Sequence, residues 1–103
     1  MLKIEFYKGK ITGIFNGNGE RISLEDFIEE YINSYLYRNL GLRSMYVKVK
    51  EKENNVCLIV WNNYTQIDNV LFRIKDKRDK EEIEELIERI LNYLIKNIQI
   101  EHH

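Results

Sequence analysis

Apolar and polar residues alternate from Leu2 to Tyr7, with Leu2, Ile4 and Phe6 on one side and Lys3, Glu5 and Tyr7 on the other. A period of two predicts a half-buried strand. Lys8-Gly9 reads as a tight turn, and Ile11 to Phe15 as the returning strand, in which Gly13 predicts a bulge or a close backbone approach. Asn16-Gly17-Asn18-Gly19 is a loop of residues that tolerate positive φ.

The period then changes. Ser23 is placed to cap a helix, with Glu25 and Asp26 in its first turn. Leu24, Phe27, Ile28, Tyr31, Ile32, Tyr35 and Leu36 recur at three- and four-residue steps, and Asn39 to Gly41 end the run. Met45 to Lys52 alternates again, with Met45, Val47 and Val49 opposite Tyr46, Lys48, Lys50 and Lys52. Asn54-Asn55 reads as a hairpin turn. Val56-Cys57-Leu58-Ile59-Val60-Trp61 is apolar on both faces, the pattern of a central strand covered on both sides. After a turn at Asn62-Asn63, Val70 to Ile74 predicts one more strand.

Asp79 is the expected cap of the last helix, whose stripe is Ile83, Leu86, Ile87, Ile90, Leu91, Leu94, Ile95 and Ile98. The order is therefore ββαβββα. It predicts a single α+β domain over residues 1–101: an antiparallel sheet of about five strands with two amphipathic helices mainly on one face. Glu101-His102-His103 resembles the start of a purification tag, so 102–103 are set aside as a tag remnant.

Composition narrows the class. The chain has no alanine and no proline and is rich in Ile, Lys, Asn, Tyr and Glu, the bias of an AT-rich microbe or its virus. Its net charge of −1 argues against a surface shaped throughout for nucleic acid. No apolar run is long enough to span a membrane and no secretory h-region opens the chain, so no membrane association is expected. A single Cys57, expected as a small buried hydrophobe, fits a reducing compartment: the cytoplasm, or the host cytoplasm for a viral protein.

Motifs for chemistry fail on inspection. Asn16 to Phe27 resembles the end of a calcium loop, but the first ligand position falls on Ile14 and Arg21 is inserted. A phosphate loop lacks its Lys, and Glu25 and Asp26 already occupy the helix N-terminus. No acidic residue stands two before a lysine, as a metal-dependent nuclease would want, and no native histidine can serve a serine nucleophile or zinc. No cofactor, metal or catalytic residue is assigned, and a non-enzymatic role is expected.

Two surfaces remain. Tyr46, Lys48, Lys50 and Lys52 share a strand face, and Arg73, Lys75, Lys77, Arg78 and Lys80 make the segment Arg73 to Lys80 locally +3 (five basic, two acidic). Basic residues beside aromatics can hold phosphates and stack bases; a solvated strand edge explains the same lysines. The second surface is aromatic and apolar: Tyr37, Tyr46, Tyr64 and Tyr93 fall off the clearest buried stripes or lie in loops, where tyrosine suits an interface. Two helices cannot cover both faces of Val56 to Trp61, so either Cys57, Ile59 and Trp61 or Val56, Leu58 and Val60 lack cover; Cys57, Ile59, Trp61 and Tyr64 are taken as the expected interface of a homodimer or protein partner. A protein-interaction module is the first expectation and a nucleic-acid-binding module the alternative.

Overall fold

A computed structural model describes residues 2–101; the side chains of 98–101, including the expected stripe residue Ile98, and residues 102–103 lie outside that description. The elements are β1 (Lys3–Tyr7), β2 (Lys10–Phe15), α1 (Leu24–Arg38), β3 (Met45–Lys52), β4 (Asn55–Asn62), β5 (Thr65–Arg73) and α2 (Lys80–Glu101). The order is the expected ββαβββα.

The five strands do not form one sheet. They divide into a two-stranded hairpin, β1-β2, and a three-stranded meander, β3-β4-β5, all antiparallel. The reason lies at the meander's edges, where side chains occupy backbone groups that a further strand would need. On the β3 edge, Asn33 accepts the Val47 N–H at 2.8 Å and donates to the Val47 carbonyl at 3.0 Å. Glu29 accepts from Val49 N–H at 2.8 Å, and Glu25 from Glu51 N–H at 2.8 Å. Four helical residues rise about 6 Å and two strand residues about 6.7 Å, so positions 25, 29 and 33 track alternate residues of β3. On the β5 edge, Asp68 accepts the Asn69 N–H at 2.8 Å and Arg89 donates to the Arg73 carbonyl at 2.8 Å.

The hairpin docks instead on the start of α2. Ile11 N–H donates to Arg78 O at 2.7 Å, and Lys80 N–H to Gly9 O at 3.0 Å. Its turn, Lys8-Gly9, has φ of 51° and 76°, the positive pair of a type I′ turn. A register shift opposite Glu5 and Phe6 leaves Thr12 unpaired, so the bulge expected at Gly13 is present beside it. A Cβ at Gly13 would lie 2.8 Å from the Phe15 ring.

Both helices contribute to one core with the inner face of the meander. Ile28, Ile32 and Leu36 of α1 and Ile83, Leu86, Ile90 and Leu94 of α2 are buried with Val47, Val49, Val56, Leu58 and Val60. The helix ends follow from local chemistry. Ser23 Oγ accepts the Asp26 N–H at 3.1 Å, and Asp79 Oδ1 the Glu81 N–H at 3.0 Å. At the end of α1, Leu42 N–H reaches Leu36 O at 3.0 Å with Gly41 at φ 66°, a left-handed exit.

Several boundaries differ from expectation by a residue or more. The β3-β4 turn is Glu53-Asn54, and the β4-β5 turn is Asn63-Tyr64; each lies one residue from the expected pair. β5 starts at Thr65 rather than Val70, because Gln66, Asp68 and Asn69 hide a strand that has only a half-buried inner side.

Candidate functional site

The face of the meander turned away from the helices is uncovered. Its cross-strand register builds four rungs: Tyr46–Trp61–Gln66, Lys48–Ile59–Asn69, Lys50–Cys57–Leu71 and Lys52–Asn55–Arg73. Directly opposed residues point to the same side, so these twelve side chains form one surface. The two surfaces that the sequence presents separately, the basic Tyr46–Lys52 stripe and the apolar Cys57, Ile59 and Trp61, are one face.

Its charge is one-sided. Lys48, Lys50, Lys52 and Arg73 are all exposed, and no Asp or Glu stands on any of the four rungs. The acids of the same strands lie on the helix side. There Glu51 pairs with Lys77 at 3.2 Å, and Asp68 accepts a hydrogen bond from the Tyr93 hydroxyl. A chain of net charge −1 thus carries a face of +4, counting those four cations.

The apolar part is graded rather than buried. Cys57, Ile59 and Trp61 are half-buried, Leu71 is 61% exposed and Tyr46 is 37% exposed. Cys57 is therefore not the fully buried hydrophobe expected, since it points to the open face, where its thiol donates to Asn69 Oδ1 at 2.9 Å. Flanking lysine stems give the strip part of its cover. Tyr46 and Trp61 lie with rings nearly parallel, 4° apart, at a centroid distance of 6.1 Å. The Trp61 Nε1 atom is buried without a hydrogen-bond partner among the described residues. Leaving such a donor unpaired costs free energy, about 1–3 kcal/mol. Beyond this end of the face, Tyr64 sits at the second turn position with φ 68° and is 92% exposed. Left-handed backbone is disfavoured for a bulky side chain, which makes this turn a place where strain is stored.

The remaining basic candidates are elsewhere. Only Arg73 of the segment Arg73 to Lys80 joins the face. Lys75 and Arg78 are exposed on the connection to α2, and Lys77 is tied to Glu51. Lys80 lies 3.6 Å from Glu84, with its ammonium 4.2 Å from the Phe6 ring centroid.

Acidic side chains that could hold a cation gather at Asp76, Asp79 and Glu82, whose ligand atoms lie within 4.8 Å of one another. Each already has a partner. Asp76 pairs with Lys10 at 2.5 Å, Asp79 caps α2, and Glu82 accepts the Lys75 N–H at 3.2 Å. The Lys10 ammonium and the Arg78 N–H hold the Asp76 carboxyl below its usual value of 3.8. In the Asn16–Gly19 loop, Asn16 Oδ1 accepts the N–H groups of Asn18 and Glu20 at 2.9 and 3.0 Å, a turn closed on itself.

No helix among the described residues is long and apolar enough to cross a membrane. Compared with protein-family models, curated proteins and solved structures, the chain gives no match.

Proposed function

We propose that the protein is a non-enzymatic binding module whose working surface is the open face of β3-β4-β5, and that its partner is a single-stranded nucleic acid. One observation carries this reading: four cations and a parallel aromatic pair share a face that contains no acid. Lysines at alternate strand positions stand about 6.7 Å apart. That row can follow an extended phosphate backbone while bases stack on Tyr46 and Trp61. A duplex hides its base faces and is less suited to a flat sheet.

A homodimer through the same face, or a protein partner there, is the second reading. The exposed Leu71 beside Cys57, Ile59 and Trp61 favours it. The charges oppose a face-to-face pair, because two copies would set four cations against four with no acid between them.

The single tryptophan of the chain, Trp61, reports directly. Titration with single-stranded oligothymidylate should quench its fluorescence saturably, and Tyr46→Ala should weaken binding by about 1–3 kcal/mol. Unchanged Trp61 emission together with a mass of twice 12.5 kDa by light scattering would favour the homodimer instead.

A further inference from the structure

On the helix side, away from the face just described, an apolar cleft of about 480 Å³ opens between the β1-β2 hairpin, α1 and α2. One wall is Phe27, Tyr31 and Tyr35 of α1; the other is Ile83, Ile87, Leu91 and Ile95 of α2. Phe6 and Ile11 of the hairpin close one end. Both walls repeat at four-residue steps. Side chains four apart form the ridges by which helices pack, so two such ridges bound a groove shaped for the ridge of a third helix. Ile83 is buried, so the part of that wall open to a partner, Ile87 to Ile95, runs about 12 Å, or just over two turns.

The rim selects the charge of that helix. Glu84 and Glu88 stand exposed along the α2 side. Glu30 stands exposed on the α1 side, in an adjoining depression that shares Ile4, Phe27 and Tyr31 with the cleft. The cation inside the cleft, Lys80, is held by Glu84 and by the Phe6 ring, and Arg38 lines the adjoining depression about two helical turns along α1 from Glu30. Lys80 also shows how this end receives an ammonium, over an aromatic face. The geometry points to a second docking site: the groove takes an amphipathic helix of a partner protein, its apolar ridge between the two walls and its lysines or arginines on Glu88 and Glu30. This site is independent of the open sheet face, and so is its failure.

The test uses a fluorescein-labelled synthetic peptide of leucine and lysine, about five turns long and patterned for one apolar helical face, and its leucine and glutamate counterpart. Anisotropy titrations should show saturable binding of the lysine peptide, with the glutamate peptide about tenfold weaker or worse. Glu88→Lys, an exposed change, and Ile87→Lys should each weaken it by about tenfold, whereas Lys48→Glu should leave it unchanged. Circular dichroism confirms that the Ile87→Lys variant is folded, and Glu88→Lys decides alone if it is not. Equal affinity for the two peptides overturns the assignment, as does binding that survives Glu88→Lys. Uptake of a dodecyl-chain probe with no binding of either peptide also overturns it, in favour of a hydrocarbon site.

Discussion

Glu29 of α1 accepts the backbone N–H of Val49 in β3 at 2.8 Å, a helix side chain standing where a neighbouring strand would otherwise bond. With Glu25 and Asn33 one turn to either side, it converts an open sheet edge into a covered one. Exposed edges invite pairing with other chains. The same arrangement ties α1 to the flank and inner side of the meander, and so leaves the outer face free. Edge protection and the open outer face are two consequences of one helix position.

Replacing Glu29 with Ala should therefore leave the Val49 N–H unpartnered and cost about 1–3 kcal/mol. Glu29→Gln keeps an acceptor oxygen and should cost less. Urea denaturation measures both, and light scattering should show self-association rising in Glu29→Ala as the β3 edge is released. Equal stabilities for wild type and Glu29→Ala would mean that this hydrogen bond holds nothing.

Ile90 is fully buried in α2, among residues of both helices and the inner sheet face. Ile90→Ala should destabilise by about 2–5 kcal/mol, the loss of transfer free energy plus the cavity left behind. A denaturation shift below about 1 kcal/mol would show that the surrounding side chains collapse into the space.

Where a side chain's role depends on its own strand or helix, it was legible in the sequence. The period of two gave β1 and β3, the cap residues Ser23 and Asp79 stand where expected, and Val56 to Trp61 is central in its sheet. What escaped depends on partners distant in the chain. The polar outer residues of β5, Gln66 and Asn69, conceal half a strand because its neighbour β4 supplies the pattern it lacks. The split into two sheets depends on Glu25, Glu29 and Asn33, which read as an ordinary solvated helix face until β3 lies beside them. Their four-residue spacing was the available signal. The union of the basic stripe with Cys57, Ile59 and Trp61 required the register of β3 on β4, which the sequence does not state.

Alkaline pH should expose the Tyr93 contact. Burial, and then the hydrogen bond to Asp68, hold the Tyr93 hydroxyl above its usual value of 10.0, against a smaller opposing bond from Asn97. A group raised on folding contributes stability in full below its unfolded value, and that contribution is lost as pH rises through the folded one. Stability should fall above pH 10.0, and Tyr93→Phe should flatten the decline. Lys10, raised chiefly by its bond to Asp76, adds a loss in the same direction above 10.5, so some slope should persist in the variant. Urea unfolding across that window checks this. Identical slopes in the two proteins would remove Tyr93 from the account.

The salt dependence of single-strand binding tests the central claim most directly. If Lys48, Lys50, Lys52 and Arg73 each neutralise a phosphate, the logarithm of the association constant should fall with the logarithm of salt at a slope of about −2 to −3. Replacing both Lys48 and Lys50 with Glu should reduce affinity to background while leaving the denaturation midpoint nearly unchanged, since both side chains are exposed. Anisotropy of a labelled oligothymidylate, titrated at several salt concentrations, gives both numbers. Absence of binding at low salt, or binding that the double variant leaves intact, would contradict the assignment of the open face.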